Sequence, residues 1–165
     1  MNYQLYILQE HIGLGADAVG FIPVVGILML VATLLTTAIG GPLSDRAGRR
    51  KPFVYAASVI CAAGLVGPWL LPTTTGMLIF AVVTGLGFGL FGSVDQALVT
   101  QVLPAQEDFA KDLGVVNIAA TLPQMLAPAI AGAVVGLAGY AALFPVAIVL
   151  MLLGGLAVVP IKSVR

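Results

Sequence analysis

Three uninterrupted stretches without a formal charge constrain this chain more than any other feature. Residues 18–44 (27 residues), 52–94 (43) and 113–161 (49) contain no Asp, Glu, Lys or Arg. A soluble domain carries roughly 25% charged residues to solvate its surface. Here 8% are charged and 60% are apolar, so the solvent for most of the surface is lipid. The first stretch suits one membrane helix of about 20 residues. The second, as one helix, would run about 65 Å, twice a hydrocarbon core. It therefore breaks, most simply at "PTTTG" (Pro72 to Gly76), and the third breaks at "GLAG" (Gly136 to Gly139). The expectation is an all-α polytopic membrane protein with five full transmembrane helices, at about 19–42, 53–71, 77–98, 113–135 and 140–160. Residues 1–18 form a stub. "YQLYIL" (Tyr3 to Leu8) is apolar but too short to cross, and it lacks the basic start and cleavage site of a secretory signal. It reads as the last turns of a truncated helix, and the chain as a piece of a longer protein.

With five spans, residues 43–52, 99–112 and the C-terminal tail share one side. They hold Arg46, Arg49, Arg50, Lys51, Lys111, Lys162 and Arg165, which is every basic residue in the chain. Basic loops stay on the cytoplasmic face, which predicts a multi-pass protein of the cell (inner) membrane with a cytoplasmic C-terminus. The formal net charge of zero gives no field to attract nucleic acid. Cys61 is the only cysteine, so no internal disulfide forms, and its apolar setting suits a small buried hydrophobe.

Asp45, Arg46, Arg49, Arg50 and Lys51 crowd into seven residues of "GGPLSDRAGRRKPF" (Gly40 to Phe53), a turn between two membrane helices. The positive-inside rule accepts any lysines there and leaves the spacing unexplained. Gly41, Leu43, Asp45, Arg46, Gly48, Arg49 and Arg50 resemble the G-x-L-x-D-[RK]-x-G-R-[RK] signature loop of the major facilitator superfamily. The resemblance implies half of a twelve-helix fold: residues 1–165 would be the C-terminal half-domain, spans 8–12 plus the end of span 7. It implies secondary active transport of a small solute by alternating access, as a part of a larger transporter. The lipid bilayer, a small-molecule substrate and the missing N-terminal half or a second copy would be the partners. In the family this loop latches the two halves on the cytoplasmic side. Physically, Gly41 would allow close helix approach and Gly48 a positive φ. Asp45 would suit a helix N-terminus, and Arg49 offers a bidentate fork to a carboxylate. "EHIGL" and Ser93 to Gln124 resemble bacterial sugar–proton symporter-like members, which favours a sugar-like solute and coupling to protons. The alternative is an inactive or regulatory membrane fragment without transport activity alone.

Inside the membrane, Asp95 is the one formal charge well within a span. A carboxylate at mid-bilayer costs about 2.5–3.5 kcal/mol on insertion scales, so it needs a partner or a function. It is either a latch partner for Arg46 or Arg49, a substrate or proton site, or an interfacial charge. Asn117, Thr121 and Gln124 share one helical face beside Pro123 and Pro128, either lining a cavity or bonding a neighbouring helix. Gln4, Tyr6 and Gln9 on the stub can face the same cavity. "GLGFGLFG" (Gly85 to Gly92) contains GxxxG and points to close helix packing, since no backbone amide is free mid-span for a phosphate. His11 reads as a solvated loop residue. No nucleophile has a base beside it, a phospholipid synthase would need further aspartates on one face, and no metal site or cofactor is expected.

Overall fold

The computed structural model describes residues 3–47, 51–102 and 109–158. Among them the structure is helical. A short helix α1 (Gln4–Tyr6) runs into one π-helical turn, Ile7–His11. Gly13 and Gly15, with φ of +78° and +54°, then reverse the chain where a side chain would be strained. Five long helices follow: α2 (Ala18–Ala47), α3 (Lys51–Leu70), α4 (Thr74–Val102), α5 (Phe109–Ala138) and α6 (Leu143–Leu156). Four contain stretches long and apolar enough to cross a membrane: Gly15–Arg46, Lys51–Leu70, Thr74–Val94 and Asn117–Ala138. The described part of α6, with its leading 3-10 turn, is a shorter apolar helix, Tyr140–Leu156. This is a polytopic all-α bundle.

Local chemistry sets the ends. Thr73 caps α4 by accepting from the Gly76 amide at 3.3 Å. Gly139, at φ +77°, separates α5 from the turn that starts α6. α2 does not stop at Pro42 but continues to Ala47. At 1.5 Å per residue its 30 residues reach about 45 Å, well beyond a hydrocarbon core of about 30 Å. Proline inside a membrane helix removes one backbone bond without ending the helix, because lipid leaves the chain no better alternative. The turn expected around Asp45 and Arg46 is therefore helix at those two residues.

α4 is the centre of the bundle, packed along its length against α2 on one side and α3 on the other; α6 packs on α3. Glycines allow the contacts. A Cβ at Gly85 would lie 2.6 Å from the Met29 carbonyl oxygen, and one at Gly89 would meet the Thr33 carbonyl. Gly87 turns the other way, onto Cys61 and Ala57 of α3. Thr33 and Thr37 donate to the Gly85 and Gly89 carbonyls at 3.1 and 3.2 Å, one rung per turn. Leu8, Ala18, Val25, Met77 and Ala81 form a core where the stub meets α2 and α4. α5 stands apart: none of Asn117–Ala138 is buried.

Candidate functional site

A cavity of about 540 Å³ lies where the stub and helices α2 to α6 converge. Its floor and sides are largely apolar: Met29, Leu65, Met77, Phe80, Phe88 and Phe144. Its polar groups are few and come from the stub and α5, namely Tyr3, Gln4 and Gln124. Among the described residues no charged side chain lines it.

The Tyr3 hydroxyl donates to the Pro128 carbonyl at 3.0 Å, which ties the stub to α5. Gly132 makes room, since a Cβ there would sit 3.1 Å from that hydroxyl. With its proton engaged, the Tyr3 oxygen is left to accept. Pro128 has no N–H, so the Gln124 carbonyl loses its regular helical donor. The α5 wall thus offers acceptors together with the Gln124 side-chain amide. Behind two other lining residues, Pro68 and Phe144, stands His11, whose Nε2 lies 3.2 Å from the Pro68 carbonyl oxygen. A carbonyl only accepts, so Nε2 carries the proton. The reason for the contact is local: the regular donor to Pro68 would be residue 72, which is also proline. His11 also stacks on Phe144 at 5.4 Å between ring centroids. It is docked on two helices rather than solvated, a correction to its reading as a loop residue.

The structure brings Gln4 and Gln124 into the lining of one cavity. Tyr6 is half exposed, tilted against the Tyr3 ring at 6.3 Å, and does not line the cavity. Asn117 and Thr121 are exposed on α5, outside the cavity lining, two turns and one turn before Gln124 respectively. Tyr3 was missed by sequence reasoning. Its signal was faint: the π turn breaks the 3.6-residue period on which a face assignment over Tyr6 and Gln9 depends.

In the signature stretch, Leu43, Asp45 and Arg46 are exposed on the last turns of α2. A Cβ at Gly41 would meet nothing within 4 Å, so Gly41 is not the point of close approach. Gly40 is: a Cβ there would lie 2.6 Å from the Ser93 hydroxyl oxygen and 3.2 Å from Leu90. Ser44 is buried, with no partner for its hydroxyl among the described residues. Gly48, Arg49 and Arg50 lie outside the described residues, and Asp95 is placed on α4 by its backbone alone. Among the described residues no cluster of His, Cys, Asp and Glu could hold a metal ion.

A bundle of membrane helices around an uncharged, amide-bearing cavity is the build of a solute-handling membrane protein, and the comparisons agree. The sequence profile of the Major Facilitator Superfamily matches residues 1–164. The chain belongs to that superfamily of membrane transporters. It is 30% identical over 97 residues to the "Putative metabolite transport protein YwtG" of Bacillus subtilis (strain 168), an alignment covering 59% of this chain. That alignment spans only 20% of the relative's length. No solved structure matches the chain.

Proposed function

We propose that this chain is the C-terminal half of a secondary transporter that moves a small neutral, sugar-like solute by alternating access. The observation that carries the reading is the cavity between the stub and α5, with two side-chain amides and a tyrosine oxygen set among aromatic and aliphatic walls. Ligand sites are mostly apolar with a few placed polar groups, and this volume falls within their usual range of about 300–1,000 Å³. Amides both donate and accept, which suits hydroxyl-rich solutes, and an uncharged wall offers an anion no compensation for lost water. The facing wall comes from an N-terminal half or a second copy, because solute sites of such transporters lie between two related halves. Asp95 either pairs with the signature arginines or carries a coupling proton. The seven-to-none split of basic residues supports an inner-membrane protein with a cytoplasmic C-terminus.

The test uses the complete transporter in proteoliposomes. Gln124→Leu and Gln4→Leu each remove a hydrogen-bonding amide and leave a buried solute hydroxyl unpaired, at about 1–3 kcal/mol. The expected result is a five- to hundredfold fall in kcat/KM for neutral sugars, roughly the rate equivalent of that energy. Unchanged uptake in both variants, or faster uptake of anionic metabolites than of neutral ones, overturns the reading.

A further inference from the structure

His11, the chain's only histidine, touches two residues of the central cavity's lining and does not line it itself. Its Nε2 donates to the Pro68 carbonyl at 3.2 Å, and its ring lies 5.4 Å from the Phe144 centroid at 43°. It ends the π-helical turn Ile7–His11, a geometry frequent at functional sites. The Ile12 and Leu14 amides bond back to the Ile7 and Leu8 carbonyls at 3.0 Å each, so the ring stands on a hydrogen-bonded turn.

Histidine is the side chain whose charge ordinarily changes between about pH 5 and 8. Each of its contacts here gains when the ring takes a second proton at Nδ1. The bond to Pro68 becomes charge-assisted, and such bonds are roughly twice as strong as neutral ones. Pro68 lies in the last turn of α3, the negative end of that helix's dipole, where a cation is favoured. A phenyl ring such as Phe144 attracts a cation within about 6 Å of its centroid. Burial opposes the charge, but the ring is only part-buried. Among the described residues, no helix brings another strong charge to this end. α2 carries only Asp45 and Arg46, α4 only Asp95, and α5 only Lys111 and Asp112, all toward the opposite ends of their helices. α3 carries only Lys51, about 25 Å from Pro68 along the helix, and α6 carries none. The remaining titratable neighbours are the exposed Glu10 and Asp17 of the stub and the phenols of Tyr3, Tyr6 and Tyr140. Carboxyl and phenol groups ordinarily titrate outside the histidine range.

We propose that His11 is a positioning residue of the cavity: its imidazolium form holds the stub to α3 and α6 more tightly than the neutral ring, and so tightens solute binding at low pH. The solute half of this inference rests on the transport reading above; the docking half does not.

The test has two arms. In the first, the chain in micelles carries isotope-labelled histidine, which gives a single imidazole signal to follow from about pH 8 to about pH 5.5. Exchange of the Ile12 and Leu14 amides, corrected for the intrinsic pH dependence of exchange, should slow about two- to fivefold along the same titration, the equivalent of a cation at a helix C-terminus. In the second, the complete transporter exchanges a neutral sugar at equal pH on both sides, and KM should fall about two- to fivefold over that range. His11→Gln keeps a donor for Pro68 and cannot titrate, so both steps should vanish at the alkaline wild-type level. Amide exchange that does not slow in the unsubstituted chain overturns the proposal, as does a midpoint that departs from the imidazole titration. A slowed exchange with a flat KM also overturns it, since His11 would then be a structural contact alone. So does a KM step that survives in His11→Gln, because another group would carry it. Lack of any neutral-sugar exchange sinks the transport reading instead, and the first arm then decides the docking by itself.

Discussion

At the scale of single residues, the cavity depends on what proline withholds. Pro128 denies the Gln124 carbonyl its helical donor, and Pro72 denies the same to Pro68. In the second case a side chain from the N-terminal stub answers directly, His11 reaching the Pro68 carbonyl; in the first, Tyr3 bonds one turn away, at the Pro128 carbonyl. The two bonds are small, about 0.6 kcal/mol each by the average for membrane proteins. Their consequence is positional, because Tyr3 is the side-chain hydrogen bond that joins the stub to α5 among the described residues. Tyr3→Phe keeps the ring and loses only the donor. It should cost about 0.6 kcal/mol in reversible unfolding in mixed micelles. It should also raise hydrogen exchange in α5 more than in α2 or α4. Equal exchange across the three helices would show that the bond does not hold α5.

Between elements, glycine position decides what packs. Gly85 and Gly89 open one face of α4 to α2, while Gly87 opens the other to α3. Gly85→Leu forces a side chain against the Met29 carbonyl and should destabilise the bundle by about 1–3 kcal/mol, the usual range for overpacking. Gly92→Leu, where a Cβ meets nothing within 4 Å, should leave unfolding unchanged. Gly40 and Gly41 form a sharper pair. Gly40→Val should disturb α2 against α4 at Ser93, and Gly41→Val should not, as read by resistance to unfolding in dodecyl sulfate. The opposite order would mean that the α2–α4 register is wrong. This contrast also marks how much the sequence disclosed. Uncharged intervals made a polytopic all-α bundle legible, because lipid punishes charge residue by residue. Two adjacent glycines, 100° apart on a helix, look alike in sequence, and only the bearing of the neighbouring helix tells them apart. The cavity was half legible for a related reason. Gln4 and Gln124 could be named as polar residues needing cover, but Tyr3 and His11 owe their roles to backbone carbonyls on distant helices, that of Pro68 left without a helical donor by Pro72.

For the whole molecule, the expected orientation carries the most weight, since the signature stretch can act as a latch only on the cytoplasmic side. Cysteine labelling of intact cells from outside should fail at Ser163→Cys and succeed at Thr75→Cys, an exposed position at the start of α4. The reverse pattern would invert the topology. With the topology in place, the stretch is tested by charge-conserving changes in the complete transporter. Asp45→Asn keeps size and hydrogen bonding but removes the anion that a facing helix N-terminus favours, an effect of about 0.3–1 kcal/mol. Arg49→Lys keeps the charge and loses the bidentate fork. Both are expected to slow uptake per inserted molecule with insertion and orientation unchanged, since neither alters the bias of basic residues by more than a trace. Arg50→Lys should be nearly silent if its part is only to hold topology. The end of α2 gives a structural reason to expect a difference between positions. Asp45 and Arg46 stand on the last turns of α2 and not on an irregular turn, so the helical backbone sets the positions from which their side chains leave. Wild-type uptake in both Asp45→Asn and Arg49→Lys would reduce the whole stretch to a charge anchor and leave the latch without support.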